Sequence, residues 1–562
     1  MFKEKIGDML SKQLKLDKNE VLKLLERPPQ PEFGDFAFPC FGIAMKEKEN
    51  PFKLAQKIVS ELKLSKEIEK AEAKGAYINF FINKKILAET ILNQILKEKT
   101  NYGGSKEGKG RKVVIDFSSP NIAKPMSIGH LRSTILGNSL CRIFSILGYK
   151  SVGINYLGDY GTQFGKLIVA YKKWGKKYAE QLEKDPVKIL LRLYIKFHEE
   201  AEKDKALEEQ ARNEFKKLED GDKENTALWK KFRELSLEDF KKFYELLGVK
   251  FDVYSGESEY MGKAKDLAKD LIKKKIAVES EGSHIIDLEK YSMPPCLITK
   301  SDGATLYSTR DLAAAIDRYK KYKFEKMLYV VGSEQKLHFQ QIFKTLEILG
   351  YEWQKKCSHV NFGLIYLPEG GKMSTRKGEI VFMEEVVEKI IAMTRKLITS
   401  EIPEKEKDEI AKIVGVSALI YADLSNDRIK DISFDWDRIL KLEGDSGPYL
   451  QYSHRRASSI LEKEPFKGKF NVQDLNDSEK ILINELSRFS EVIKDAANHY
   501  APHIIANYSN HLAQIFNDFY EKCPVIKAEE KIKQQRLAIV SATKQVLANC
   551  ILLLGMQIPR LM

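Results

Sequence analysis

The chain has 562 residues, 43% of them hydrophobic and 31% charged, which suits two to four folded domains and excludes a disordered or fibrous protein. No stretch approaches the roughly 20 consecutive apolar residues of a membrane span, and the N-terminus has no apolar signal-peptide core. A net charge of +13 favours a polyanionic partner such as RNA, or else reflects a lysine-rich composition. The six cysteines, Cys40, Cys141, Cys296, Cys357, Cys523 and Cys550, show neither Cys-X-X-Cys pairs nor zinc-ligand spacing. They read as reduced thiols of a cytoplasmic protein with no metal site of its own.

In chain order, residues 1–108 open with helical periodicity and reach a strand at 76–82, an α+β pattern closed by a glycine- and lysine-rich linker at 102–110. Val113-Val114-Ile115 is a short β-branched run that suits a buried parallel strand. After the segment 118–134, Leu131, Ile135, Leu136, Ile143 and Leu147 return at helical spacing. Strand, glycine-containing turn and helix look like a nucleotide-binding corner, although a Gly-His pair at a helix start is more often an ordinary turn and cap: the helix N-terminus offers unpaired N–H groups, and Gly129 lets an adenine or phosphate approach the backbone. His130 and Lys124 add donors for charge building on a phosphate. Strands and helices alternate over 109–383, a parallel α/β pattern interrupted at 172–248 by charged amphipathic helix. The segments 302–313 and 330–339, with Asp116, should reach the same carboxyl-end rim of the sheet. Gly371 to Gly378 is a glycine-hinged basic loop, in isolation more often a solvated surface turn, whose lysines suit charge on a leaving pyrophosphate. Residues 384–562 read as helical throughout, with 495–521 and 529–555 the longest segments.

The run Ser119-Pro120-Asn121-Ile122-Ala123-Lys124-Pro125, followed by Ile128-Gly129-His130-Leu131-Arg132-Ser133-Thr134, resembles the signature of arginyl-tRNA synthetases, class I enzymes with a general His-X-Gly-His motif. Ser127 stands at the first histidine position. Lys372-Met373-Ser374-Thr375-Arg376-Lys377 is similar to the second class I signature, Lys-Met-Ser-Lys-Ser. The resemblance spans nearly the whole chain and implies a Rossmann-like parallel-sheet catalytic domain with a helical insertion. It also implies an N-terminal α+β domain on the tRNA elbow and a C-terminal all-α anticodon-binding bundle.

The implied activity is ATP-dependent formation of arginyl-adenylate and transfer of arginine to the 3′ end of tRNA(Arg). The partners are then L-arginine, ATP with Mg²⁺, and tRNA(Arg), for a monomer independent of membranes. On this match Lys124, Ser127, His130, Lys372 and Lys377 act on the phosphates, and Pro120, Ile128, Gly129, Met373 and Ser374 line the ATP site. Arginine falls to Asp116, Tyr307 and Asp311 for the guanidinium, and to Ser119, Asn121 and Gln335 for its amino and carboxylate groups. A guanidinium does call for an acidic fork with a hydroxyl or ring beside it. Taken alone, however, Asp311 equally suits a helix N-terminal acid and Asp116 a loop cap. Tyr449, Tyr452, His454 and Arg455 combine rings and bases suited to unpaired nucleotides. Two other readings stay open: a synthetase-like RNA-binding protein without aminoacylation, and a class I synthetase for another amino acid.

Overall fold

A computed structural model describes residues 2–366, 382–398, 402–433 and 435–562, which divide into two compact units. The larger comprises 103–455, 489–513 and 547–562. Its core is a five-stranded sheet of β1 (Lys112–Asp116), β2 (Lys150–Leu157), β3 (Val253–Gly256), β4 (Lys326–Tyr329) and β5 (Cys357–His359). The order is β5-β4-β1-β2-β3 and every pairing is parallel. Val113, Val114 and Ile115 on β1 have no exposed surface, as a β-branched strand covered on both faces should. Because β2 and β4 flank β1 on opposite sides, the chain reverses its winding there, and a crevice opens beyond the carboxyl end of β1. Asp116, the last residue of β1, is in register with Tyr329 at the end of β4.

Helix α1 (Ile128–Ile146) follows β1, with Leu131, Ile135, Leu136 and Ile143 buried. It begins three residues before the periodicity suggests, because Ser127 caps it. At Gly137 a Cβ would fall 2.2 Å from the Phe117 ring, so only glycine lets α1 pass this close. Two further helices reach the rim, α2 (Tyr307–Tyr322) and α3 (Lys336–Ile348). The 172–248 insertion is helical as expected, its main helices being Pro186–Lys203, Ala206–Glu219 and Lys223–Leu246.

An antiparallel sheet of Val278–Ser280, Ser283–Ile286 and Cys296–Thr299 was not legible as such, nor was the parallel pair of Ile365–Tyr366 with Ile432–Ser433, the second of which falls in the region expected to be all helix. The continuous helix expected over 495–521 is two, Phe489–His499 and His503–Lys522. Tyr500 takes a left-handed φ of 51°, and Pro502 cannot continue the first helix.

The smaller unit comprises 1–102, 456–488 and 514–546. Its antiparallel sheet has Tyr77–Ile82 between Phe36–Pro39 and Ile68–Lys74. Helix Lys84–Glu98 packs on helix Asp477–Ser487, and the buried Tyr102 hydroxyl donates to the Leu486 carbonyl at 2.9 Å. In the larger unit Ser105 and Gly108 donate backbone N–H groups to the Ile146 and Leu147 carbonyls. Among the described residues one helix, Glu530–Leu553, is long and apolar enough by length and composition to cross a membrane. Its apolar window is 67% buried, as for a core helix.

Candidate active site

The loop between β1 and α1 carries three non-glycine residues with left-handed backbone, Ser118 (φ 72°), Ser119 (φ 48°) and Ala123 (φ 62°). Such conformations cost of order 1–3 kcal/mol each and persist where surrounding bonds impose them. Here the Ser118 N–H donates to Ser133 Oγ at 2.9 Å, and Ser133 passes its own hydrogen to the Val330 carbonyl at 2.7 Å, tying α1 to both sides of the crevice. The Ser118 hydroxyl lies 2.8 Å from Tyr244 Oη, and the Ala123 N–H donates to Ser236 Oγ at 3.1 Å. Tyr244 and Ser236 both belong to insertion helix Lys223–Leu246, so the insertion braces this loop. Asn121 is exposed, with its Oδ1 where a Cβ on Gly158 would lie, and Pro120 is buried, its carbonyl accepting the Gly158 N–H at 3.1 Å.

Lys124 places its ammonium 5.5 Å from the Tyr194 ring centroid, on insertion helix Pro186–Lys203. At the start of α1, Ile128 is buried, while a Cβ on Gly129 would meet nothing nearer than Ser127 Oγ at 3.7 Å, which leaves that face open to a flat ligand. Ser127 engages His130. Its Oγ lies 2.9 Å from His130 Nδ1, and its backbone N–H donates to the same nitrogen at 3.0 Å. Nδ1 is therefore an acceptor, and the proton of neutral His130 sits on Nε2. Burial lowers the His130 pKa to about 4, so this neutral donor persists at physiological pH.

Asp116 and Asp311 come together near one another, each with a partner the sequence did not disclose. Asp116 Oδ2 pairs with Arg318 Nη1 at 2.8 Å, both side chains being almost fully buried, and Asp116 Oδ1 accepts from the Ser119 hydroxyl at 3.1 Å. Burial raises the Asp116 pKa, and the Arg318 charge opposes that rise. The Arg318 guanidinium lies over the Tyr156 ring at 4.9 Å and the Tyr329 ring at 5.7 Å. Asp311 Oδ2 accepts from His338 Nε2 at 2.7 Å, and the His338 ring lies 5.1 Å from that of Tyr307, which is 55% exposed. A third acid, Glu257, pairs with Arg310 Nη2 at 3.2 Å; burial first, then Asp311 and Asp159 nearby, push its pKa up to about 7 against the pull of Arg310. Gln335 is exposed at the start of α3.

Glu257 sits in no local motif, and nothing in the sequence pointed to it. Arg318 follows Asp311 by two helical turns on α2 and was findable as a same-face neighbour.

Arg132, one turn beyond Ser127's cap, is 1% exposed. Its Nε pairs with Asp423 Oδ1 at 3.0 Å, and its Nη1 donates to the carbonyls of Gly363 at 2.6 Å and Lys430 at 3.0 Å. The Met383 N–H returns to the Met126 carbonyl at 2.9 Å. Residues 371–378, with Lys372, Met373, Ser374 and Lys377, lie outside the described residues. On helix Gly447–Lys463, Tyr449, Tyr452 and Arg455 are half-buried and His454 is 8% exposed, so His454 packs inward while the other three reach the surface in part. The described residues include no His/Cys/Asp/Glu group of three or more able to hold a metal ion.

A parallel sheet reversing at β1, with a braced loop and a helix N-terminus at its carboxyl end, is the arrangement in which doubly wound α/β proteins hold nucleotides. Residues 91–436 match the family described as tRNA synthetases class I (R), catalytic domain; residues 1–82 match the arginyl tRNA synthetase N terminal domain, and 450–562 the DALR anticodon binding domain. The chain is 47% identical over 567 residues to the arginine–tRNA ligase of Halothermothrix orenii and 46% identical over 567 residues to that of Clostridioides difficile, with both chains covered in full each time. Its fold matches Thermus thermophilus arginyl-tRNA synthetase with a TM-score of 0.84 at 24% identity, over 100% of both chains. The chain belongs to the arginyl-tRNA synthetase family.

Proposed function

We propose that the chain catalyses ATP-dependent activation of L-arginine and its transfer to tRNA(Arg), with the crevice beyond β1 as the site of both steps. The observation that carries this reading is the gathering of Asp116, Asp311 and Glu257 beside a nucleotide-type helix N-terminus, an acidic pocket at the place where an activated amino acid would sit. Arg318 pairs with Asp116 and Arg310 with Glu257, which leaves Asp311 as the acid without a permanent cation beside it, suited to one guanidinium. Tyr307 flanks it, with Ser119, Asn121 and Gln335 assigned to the amino and carboxylate end.

The arginine carboxylate attacks the α-phosphate of ATP, the bond to the β-phosphate breaks and pyrophosphate leaves. A terminal ribose hydroxyl of tRNA then attacks the adenylate carbonyl and releases AMP. Catalysis is positioning and electrostatic stabilisation. The Nε2–H of His130 and the ammonium of Lys124 donate to the phosphates, Ser127 acts here through His130, and Lys372 and Lys377 attend the leaving pyrophosphate. Pro120, Ile128, Gly129, Met373 and Ser374 hold the nucleotide. Mg²⁺ arrives on the ATP phosphates.

In this reading residues 1–108 lie on the tRNA elbow, 109–383 are catalytic, and 384–562 take the anticodon through Tyr449, Tyr452, His454 and Arg455. The protein works as a cytoplasmic monomer. The test is pyrophosphate exchange with each amino acid, with and without tRNA: exchange with arginine that appears on adding tRNA(Arg) and fades with salt is expected, because remote phosphate contacts would order the site. Exchange with another amino acid would refute the substrate, and none with any tRNA would favour an RNA-binding protein without aminoacylation.

A further inference from the structure

Among the acids of the crevice, Asp311 differs in its partner. Asp116 is matched by Arg318 and Glu257 by Arg310, both permanent cations, whereas the bond given to Asp311 comes from His338. Because a carboxylate only accepts, the Nε2 of His338 must carry the proton in that 2.7 Å contact. It engages Oδ2 and leaves Oδ1 as the acceptor for an incoming cation. A carboxylate with one oxygen fixed has lost rotation about its last torsion, and a planar fork of donors requires that plane to be set in advance.

The histidine is itself well held. Its neighbour Phe339 is 6% exposed and packs on Tyr329 at 4.9 Å and His359 at 4.6 Å, which fixes the first turn of α3 against the sheet. The His338 side chain is 11% exposed and borders Tyr307 at 5.1 Å, so one ring touches both the acid and the aromatic wall of the pocket.

We propose that His338 is a positioning residue for amino-acid selection: through Nε2–H it sets the plane of the Asp311 carboxylate so that Oδ1 receives the guanidinium of arginine. The inference rests on the assignment of Asp311 to arginine made above. It acts on arginine recognition and leaves ATP untouched, since His338 makes no contact with the β1–α1 loop or the start of α1 in the bonds described.

The experiment is steady-state charging of tRNA(Arg) by the full chain, varying arginine and ATP separately, for wild type, Asp311→Asn, His338→Gln, His338→Phe and the double variant Asp311→Asn/His338→Phe. His338→Phe keeps a ring and removes the donor; its KM for arginine should rise about three- to tenfold, the cost of ordering a freed carboxylate when arginine binds, with the KM for ATP within twofold. His338→Gln restores an N–H donor and should recover most of the loss. In the Asp311→Asn background, His338→Phe should add less than about twofold, because its effect runs through the carboxylate. Equal rises in both KM values, an additive double variant, or a silent His338→Phe beside a strongly impaired Asp311→Asn would each overturn the proposal. If Asp311→Asn itself leaves the arginine KM unchanged, the pocket assignment falls and the proposal falls with it. Absence of arginine charging by wild type would refute the functional reading instead.

Discussion

Arg132→Met should destabilise the larger unit in a way that depends on pH. The substitution keeps most of the stem volume but strips the partner from Asp423, which is 3% exposed, and the donor from the Gly363 and Lys430 carbonyls. Breaking a buried ion pair by removing one member typically costs about 3–5 kcal/mol, because an uncompensated charge is left inside. Burial already raises the Asp423 pKa from 3.8 to about 6, with Arg132 pulling the other way. The folded state therefore binds more protons than the unfolded state between about 3.8 and 6, and stability gains from this group as pH falls through that window. Without Arg132 the carboxyl rises further, so the loss should be largest near pH 8 and should shrink by half or more near pH 5, where Asp423 is protonated. Urea unfolding followed by tryptophan fluorescence at both pH values measures this. Arg132→Met/Asp423→Leu, which removes both charges, should recover most of the stability. A loss equal at the two pH values, or a double variant no better than the single, would refute the account of Arg132 as the counter-charge of a buried acid.

Ser127→Ala should slow pyrophosphate exchange less than tenfold, because the backbone N–H still holds His130 Nδ1, whereas His130→Ala should cost about a hundredfold as a lost transition-state donor; comparable losses would return Ser127 to a direct role on the phosphates. With its folded pKa at about 4 against 6.5 unfolded, His130 binds fewer protons when folded, so it lowers stability progressively as pH falls from 6.5 towards 4, and His130→Gln should flatten an acid-unfolding profile over that range. Tyr194→Ala removes the ring beneath Lys124, and the roughly 0.5–2 kcal/mol of such a contact predicts a two- to thirtyfold fall in kcat for activation with the arginine KM unchanged.

The order strand, loop, helix around residue 129 was legible because it rests on local rules: β-branched residues in β1, a glycine-containing turn, apolar residues returning on α1. The helical insertion was legible for the same reason. The break at Tyr500 was missed although Pro502 announced it, since the flanking segments keep one apolar periodicity across the interruption. The antiparallel sheet at 278–299 was missed because its strands are three or four residues long, too short to show alternation. At the site, the motif acids Asp116 and Asp311 could be named from the sequence and Arg318 placed on the same helix face as Asp311, but the pairing of Arg318 with Asp116, of Glu257 with Arg310 and of His338 with Asp311 could not be read. Partnership between side chains on different strands and helices is set by how the elements pack, and no spacing along the chain encodes it.

The bracing of the β1–α1 loop by the insertion bears on how this catalytic domain could be reduced. A designer seeking a minimal activating enzyme would first cut 172–248, a surface excursion that leaves the sheet order intact. The cut would remove Ser236 from the Ala123 N–H, Tyr244 from the Ser118 hydroxyl and Arg233 from the wholly buried Asp159. Two left-handed residues would lose side chains that hold them, and a carboxylate would lose its counter-charge. What the topology presents as an appendage is, for the nucleotide loop, a structural wall, and a shortened enzyme would need replacement hydroxyls at those places before it could be expected to keep its shape.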